Sequence, residues 1–95
     1  MKKPGVYVLK SKKNGRYYTG STDDVENRLK YHNLGWVVAT KNYRPFELLA
    51  FVPCANLSEA RKAEYRLKQY KRKDVLEKVI ADLKFPWLHK FETGP

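Results

Sequence analysis

The sequence predicts an α/β domain of the α+β type, with a small three-stranded mixed sheet flanked by helices in the order β-β-α-β-α-α. Two short segments rich in β-branched and aromatic residues surround an Asn-Gly pair, and a third apolar segment ends at a proline. The stretches between and after them repeat apolar residues at helical spacing. The 95 residues suffice for one domain, predicted over residues 1–83, with 84–95 as a tail that packs on it or is partly flexible.

The first two strands are predicted to form a hairpin. Residues 6–10 and 16–20 have strand-like composition, and Asn14-Gly15 lies between them. An Asn-Gly pair favours a two-residue type I′ turn, because both central residues of that turn need a positive φ. We therefore expect a tight hairpin at the start of the chain.

The predicted turn sets which side chains share a face of the hairpin. A two-residue turn would pair Leu9 with Gly20, and alternate residues of a strand point to the same side. Tyr7 and Tyr18 would then point to one face, with a gap at Gly20 between them. Lys10 would point to the opposite face if the strand stays regular, and would reach the cleft only if the strand ends twist or the turn is longer. The hairpin thus predicts a cleft walled by two phenols.

A helix is predicted to follow the second strand at once. Asp23 is the expected N-cap, with Glu26 three residues later completing a capping box, and Gly35 is the expected stop. Arg28 and His32 are four residues apart, so they lie on one face of this helix. Because the helix starts beside Gly20, both side chains are expected near the cleft.

The remaining elements are one strand and two helices. Residues 46–52 form an apolar run ended by Pro53, which is typical of a central strand covered on both faces. A second helix is expected from Asn56, and a third over residues 75–83. Glu64 falls in the apolar stripe of the second helix. A carboxylate in that position needs a partner, which leaves open a metal or a salt bridge to Lys68 or Arg28.

The composition restricts the class of partner. The net charge of +10 favours polyanions, with nucleic acid first and an anionic membrane second. No window approaches the ~18 consecutive apolar residues of a membrane span, and no secretory leader is evident, so we expect a cytoplasmic protein without a membrane partner. A single cysteine, Cys54, excludes an internal disulfide and a cysteine-rich zinc site.

Several short motifs resemble those of one enzyme family. Residues 5–7, Gly-Val-Tyr, and residues 18–20, Tyr-Thr-Gly, are similar to the paired motifs of the GIY-YIG nuclease superfamily. Residues 26–29 and 31–33 are similar to its following helix, and residues 59–68 to the segment that holds its metal-binding glutamate. The resemblance covers most of the chain and is closest to the small single-domain bacterial members.

The resemblance implies hydrolysis of DNA phosphodiester bonds with one divalent ion, Mg²⁺ or Mn²⁺, held by Glu64. In this scheme Tyr7 accepts a proton from the attacking water, and Tyr18 positions water or phosphate. Arg28 stabilises the pentavalent phosphate, since its planar fork suits two phosphate oxygens. His32 assists proton transfer or binds phosphate. The site would therefore carry out metal-assisted hydrolysis.

The resemblance also implies how DNA is bound. Basic side chains would follow the phosphate backbone through contacts that are sequence-independent and salt-sensitive. The expected contacts are Lys10, Arg61, Lys62, Lys68, Lys71 and Arg72. We expect recognition led by DNA structure, as in repair or recombination, with RNA left open as a partner. A monomer or weak homodimer is expected, with room for a protein partner that supplies substrate specificity.

Two other interpretations remain open from the sequence. One is a nucleic-acid-binding module of the same fold that does not cut, or that needs a partner for activity. The other is a protein of anionic membrane surfaces, which is disfavoured because the inner stripe of the basic helix carries tyrosine and alanine instead of large apolar residues. Dependence on a divalent metal separates the enzyme from the binding module.

Overall fold

The computed structural model describes residues 2–88 and has the predicted order of elements. The strands are β1 (Gly5–Ser11), β2 (Tyr17–Thr22) and β3 (Phe46–Pro53). The helices are α1 (Val25–Leu34), α2 (Leu57–Gln69) and α3 (Lys73–Asp82), with short 3₁₀ turns at Lys41–Tyr43 and Pro86–Leu88. The α+β class and the order β-β-α-β-α-α are confirmed.

The sheet has the order β2-β1-β3, and β1 is antiparallel to both neighbours. The prediction of a mixed sheet is therefore wrong, as is the prediction of β3 as the central strand. β2 and β3 run in the same direction, but they lie on opposite sides of β1, so no neighbouring strands are parallel. The chain passes from β2 through α1 to the free edge of β1.

A β-bulge explains why β3 resembles a central strand in sequence. Val8 pairs with Ala50 and Leu9 pairs with Leu48, so Leu49 is the extra residue of the bulge. Strict alternation between faces is lost at a bulge, and consecutive apolar residues result. The strand covered on both faces is β1, in which Val8 and Leu9 are fully buried on opposite sides.

The hairpin register differs from the predicted one by two residues. Tyr7 pairs with Gly20, and Leu9 pairs with Tyr18. A shift by an even number keeps every side chain on its predicted face, because the side-chain period of a strand is two. Tyr7 and Tyr18 therefore share a face, as predicted, and Gly20 lies directly opposite Tyr7.

The turn is longer than two residues because Ser11 organises it. The Ser11 Oγ accepts hydrogen bonds from the backbone N–H groups of Lys13 and Asn14, both at 3.1 Å. The Gly15 N–H donates to the Ser11 carbonyl oxygen at 2.9 Å. A serine side chain that bonds the backbone two and three residues on competes with the tight type I′ turn. The loop therefore spans residues 12–15, and Arg16 lies opposite Ser11 instead of residue 13, which is the shift of two residues in the register.

Two apolar clusters lie on the two faces of the sheet. On one face, β1 and β3 pack against α1 through Tyr7, Leu9, Phe46, Val25 and Leu29. On the other face, they pack against α2 and α3 through Val6, Val52, Ala60, Ala63, Leu67 and Val79. The sheet is thus a middle layer, and each helix that carries candidate site residues is fixed by its apolar stripe.

The helix caps place α1 and α2 relative to the sheet. The N-cap of α1 is Asp24, whose carboxylate accepts from the Asn27 N–H at 3.3 Å. The predicted cap at Asp23 is one residue too early, because the Thr22 hydroxyl holds the Asp24 N–H and delays the start of the helix. The predicted N-cap of α2, Asn56, is confirmed by a bond from the Glu59 N–H at 2.8 Å.

The end of the described chain packs on the second cluster. Phe85 is buried in it, Trp87 stacks on Phe85 with ring centroids 4.8 Å apart, and the Arg66 guanidinium lies 4.4 Å from the Trp87 ring. Residues 89–95, the larger part of the predicted tail, lie outside the described residues. The division of the chain at residue 83 stays a prediction. Between residues 2 and 88, no helix has the length and apolar character needed to cross a membrane.

Candidate active site

The hydroxyl of Tyr7 is the centre of a buried polar network. Tyr7 lies on β1 and is 4% exposed. Its oxygen accepts a hydrogen bond from the Arg28 Nε at 3.4 Å and lies 3.0 Å from the His32 Nε2. A Cβ atom at Gly20 would overlap the Tyr7 phenol, so only glycine leaves room for this ring. The two motif strands and α1 thus meet at one oxygen atom.

The hydrogen bonds of His32 fix the direction of this network. The His32 Nδ1 lies 2.8 Å from the Thr40 Oγ1, and that hydroxyl donates to the Val37 carbonyl oxygen at 3.5 Å. We assign the His32 proton to Nδ1, because a Thr40 hydroxyl that donates to Val37 can only accept from Nδ1–H, and Nε2 is then an acceptor. Tyr7 therefore donates its proton to Nε2. Burial, followed by the charge of Arg28, lowers the pKa of His32 to about 4, so the imidazole is neutral at pH 7.

Glu64 approaches the same place from the opposite layer. It lies on α2, and its side chain reaches the outer edge of β2, where the Ser21 Oγ donates to Oε1 at 2.5 Å. The Lys68 ammonium donates to Oε2 at 2.5 Å, one helical turn away. Of the two salt bridges left open by the sequence, the structure therefore forms the one within the helix, to Lys68. The carboxylate is 21% exposed, which leaves it accessible to a ligand.

A cavity of about 300 Å³ joins these groups. Its lining includes the five residues predicted to be catalytic: Tyr7, Tyr18, Arg28, His32 and Glu64. Three of them form the Tyr7 network, and Glu64 lies across the edge of β2 from it. The cavity is therefore walled by residues from both faces of the sheet, and it lies at an edge strand instead of over the sheet centre.

Tyr18 forms a wall of the cavity and does not join the Tyr7 network. Its ring stacks on Tyr43 with centroids 6.1 Å apart and meets the edge of Phe46 at 5.3 Å. Its hydroxyl accepts from the Asn14 Nδ2 at 3.1 Å. The two tyrosines therefore differ in environment, one enclosed by α1 and the other held against the loop before β3.

A match to a known family profile identifies the family of this chain. The profile of the GIY-YIG catalytic domain matches residues 3–78. The chain belongs to the GIY-YIG family. This membership places it in a nuclease superfamily, whose endonucleases generally depend on divalent metal ions. The resemblance inferred from residues 5–7 and 18–20 is confirmed.

Small prokaryotic proteins are similar to this GIY-YIG chain over most of its length. The UPF0213 protein of Oceanobacillus iheyensis is 38% identical over 73 residues, which cover 76% of this chain and 84% of that protein. The one from Staphylococcus haemolyticus is 38% identical over 80 residues, 83% of this chain and 96% of its own. The UPF0213 protein YazA of Bacillus subtilis is 41% identical over 68 residues, 70% of this chain and 68% of its own. No solved structure matches the chain.

The basic residues expected to contact DNA fall into three groups, according to whether they line the candidate site, a neighbouring cavity or neither. Lys68 lines the candidate active site through its pair with Glu64. Lys71 and Arg72 line a neighbouring cavity, which also includes Lys68. The others line neither cavity: Lys10, Arg61 and Lys62. Lys10 is exposed on β1 opposite Tyr17, on the face away from Tyr7, as the hairpin geometry predicts.

Two residues of the GIY-YIG site were missed by sequence reasoning. Ser21 holds the Glu64 carboxylate, and Thr40 fixes the tautomer of His32. Ser21 directly follows the second motif, so the correct register and the packing of α2 on β2 would have indicated it. Thr40 lies in the loop before β3, where no periodicity or spacing distinguishes it from its neighbours.

The metal ion implied by the family was tested against the residues present. Within the part of the chain that the structure describes, no group of three or more His, Cys, Asp or Glu side chains could hold a metal. Mg²⁺, however, is commonly bound through one or two carboxylates and completes its shell with water and substrate phosphate. Glu64 supplies one such hard oxygen donor at the cavity wall, so the site fits an ion of this kind. Binding of the ion would require the salt bridge between Lys68 and Glu64 to open.

Proposed function

We propose that this protein is a metal-dependent endonuclease that hydrolyses DNA phosphodiester bonds at places chosen by DNA structure. The observation that carries the proposal is the meeting of Tyr7, Arg28, His32 and Glu64 at one cavity of a GIY-YIG domain. Taken singly, each residue is compatible with ordinary packing. A buried phenol bonded to an arginine and a neutral histidine, opposite an accessible carboxylate, has the parts that phosphodiester hydrolysis needs.

Tyr7 is proposed to deprotonate the attacking water. A neutral phenol is a weak base, so its own proton must leave before or during the attack. His32 is already in position to receive it, because its Nε2 accepts from the Tyr7 hydroxyl at 3.0 Å. Arg28 supports the same step by holding the Tyr7 oxygen in place, since its Nε donates to that oxygen at 3.4 Å.

Arg28 is also proposed to stabilise the charge that develops on phosphate. Its Nε donates to Tyr7, and within residues 2–88 no other hydrogen bond or ion pair engages its terminal nitrogens. A guanidinium with free N–H groups binds two phosphate oxygens in its plane. Tyr18, as a cavity wall, is proposed to position water or phosphate.

Glu64 is proposed to hold one Mg²⁺ or Mn²⁺ ion. When bound, such an ion supplies Lewis-acid stabilisation of negative charge on the phosphate and the leaving oxygen. Ser21 holds one carboxylate oxygen at the edge of β2, which keeps the side chain at the cavity. The proposal also includes the identity of the metal and a role in repair or recombination. It further includes a cytoplasmic location and a monomeric or weakly dimeric state.

The test is cleavage of supercoiled plasmid and labelled branched DNA in Mg²⁺, Mn²⁺ or EDTA. Wild type is compared with Glu64→Gln, Tyr7→Phe and the control Glu47→Gln, which changes an exposed carboxylate on β3. We expect cutting only with metal, and a loss of about a hundredfold or more in the first two variants. A positioned acid–base group such as Tyr7 contributes that much, and Glu64→Gln weakens the hold on the metal. The control should cut as well as wild type.

A second candidate function is a nucleic-acid-binding module that does not cut alone or that needs a partner protein. The pair between Lys68 and Glu64 favours it, because both carboxylate oxygens already have donors. Absence of cutting by wild type, with salt-sensitive binding retained in all four proteins, would establish this function. Full activity of Glu64→Gln would contradict the proposed site.

A further inference from the structure

A second cavity adjoins the candidate active site. It has a volume of about 500 Å³ and lies between the hairpin turn, the end of α2 and the start of α3. It shares Tyr18, Thr19 and Lys68 with the smaller cavity. Because the two cavities have walls in common, a chain-like molecule bound in one can continue into the other.

The charges of this second cavity select a polyanion. Five of its lining residues are cationic, and none is acidic: Arg16, Lys68, Lys71, Arg72 and Lys73. Three of the five have partners, namely Glu64, Asp74 and the Tyr17 ring. Arg16 and Lys71 are exposed, and no carboxylate of residues 2–88 pairs with either. Unpaired cations gathered at one cavity attract phosphates.

The apolar part of the lining favours one class of polyanion, namely nucleic acid with unpaired nucleotides. Tyr17 and Leu76 contribute partly exposed ring and aliphatic surface that a phosphate alone does not need. In a duplex the base faces are stacked and the base edges are paired, so the bases cannot reach such walls. An unpaired strand offers base faces and phosphates to one cavity, the combination that single-strand sites bind. The volume also falls in the range of about 300–1,000 Å³ that suits small ligands.

We propose that this cavity binds nucleotides of an unpaired strand that continues from the phosphate held between Tyr7 and Glu64. The inference rests on the proposed function and narrows its substrate to nucleic acid with a single-stranded stretch beside the cleaved bond. Arg16 and Lys71 bind the phosphates of this stretch, and its bases pack on Tyr17 and Leu76.

The test measures binding without cleavage. Fluorescence anisotropy in EDTA follows a labelled oligothymidylate and a labelled blunt duplex of equal length. The cavity variant is Arg16→Gln with Lys71→Gln, and the matched control is Lys30→Gln with Lys41→Gln, two exposed lysines that line neither cavity. Each double variant lowers the net charge of +10 by two. The two double variants therefore lose the same amount of charge at different places on the surface.

We expect the cavity variant to bind oligothymidylate about tenfold or more weakly than the control. The slope of log K against log salt should become shallower by about 1.4, because each single-strand phosphate contact contributes about 0.7. Duplex binding should fall equally in both variants. Thermal unfolding identifies a misfolded variant, in which case Arg16→Gln alone replaces the double.

Equal losses of oligothymidylate binding in the two variants would overturn this inference, as would an equally selective loss of duplex binding. Failure of the proposed function has a different signature. If metal gives no cutting but the cavity variant selectively loses oligothymidylate, the binding site stands and the nuclease proposal fails. If metal-dependent cutting is intact and the losses are equal, the reverse holds.

Discussion

His32 is enclosed by aromatic rings and by the Tyr7 hydroxyl. Its ring lies 5.6 Å from that of Phe46 and 5.8 Å from that of Tyr7, measured between centroids. The charge that acts on its pKa is that of Arg28, on its own helix. Both the burial and this charge disfavour the imidazolium, which keeps the proton acceptor of the network neutral.

The lowered pKa of His32 predicts acid sensitivity of the fold. The pKa falls from 6.5 to about 4, so between these values the unfolded chain binds more protons than the folded one. His32 therefore contributes stability that is complete above pH 6.5 and is lost as pH falls towards 4. We expect the free energy of unfolding to drop by up to about 3 kcal/mol across this window, measured by urea unfolding.

Two residues of α1 provide the test and the control for this prediction. In His32→Gln the part of the drop due to this residue should disappear, whereas Lys30→Gln, at an exposed position of the same helix, should keep it. A drop of the same size in wild type and His32→Gln would show that other groups cause the acid sensitivity.

Sequence reasoning brought together residues that a motif or a helical spacing marks, and their roles stay predictions. Tyr7, Arg28 and His32 were found in this way, and the structure places them in contact. Ser21 and Thr40 were not found, because each acts on a partner that is distant in sequence and small hydroxyl residues are common in strands and loops. Their positions depend on packing that local patterns do not encode.

At the scale of elements, Asn33 joins α1 to the start of β3. Its Nδ2 donates to the Phe46 carbonyl at 3.3 Å, and its Oδ1 accepts from the Phe46 N–H at 2.7 Å. The Asn33 side chain thus bonds both backbone groups of Phe46, as a neighbouring strand would do. Since α1 carries Arg28 and His32, this joint also sets how both approach Tyr7.

Asn33→Ala should destabilise the protein by about 1–3 kcal/mol, because the partly buried Phe46 N–H and carbonyl lose their partners. The matched control is Asn27→Ala on the same helix, where the side chain is exposed and reaches only the Tyr31 hydroxyl at 3.5 Å. Its effect should stay within about 0.5 kcal/mol. Urea unfolding at neutral pH measures both, and equal losses would mean that the joint adds nothing.

Local chemistry also explains which details of the elements were predictable. Helix starts and stops at Asn56 and Gly35 follow from capping chemistry within a few residues. The hairpin register could not be predicted in this way, because the Ser11 hydroxyl competes with the Asn-Gly turn. The bulge at Leu49 could not be predicted either, since a central strand and a bulged strand can both contain a run of apolar residues.

For the whole molecule, the class and order of elements follow from motif spacing and periodicity, but the place of β3 does not. After a helix, a strand can join either the outer edge of β2 in parallel or the free edge of β1 in antiparallel orientation. The chain adopts the second arrangement. This leaves the outer edge of β2 open for the Glu64 side chain, so the topology decides where the candidate site lies.

The second apolar cluster extends beyond the last predicted helix, and this gives a test for the whole fold. Phe85 is 6% exposed within the cluster, so Phe85→Ala should cost about 3–5 kcal/mol of unfolding free energy through lost burial and a cavity. Leu83→Ala, two residues earlier and 52% exposed, should cost less than about 1 kcal/mol. Thermal or urea unfolding compares the two. A small loss for Phe85→Ala would mean that the fold does not need residues beyond 83.

The Glu64 contacts at the outer edge of β2 have a consequence for self-assembly. β2 pairs with β1 on one side only, so its other side offers backbone groups that a strand from another molecule could join. A strand added there would displace Glu64 and Lys68 from beside Ser21 and cover the cavity. Growth of the sheet through β2 and access to the candidate site therefore exclude each other. In a fibril or dimer built on this edge, the cavity would be covered in each copy whose β2 is paired.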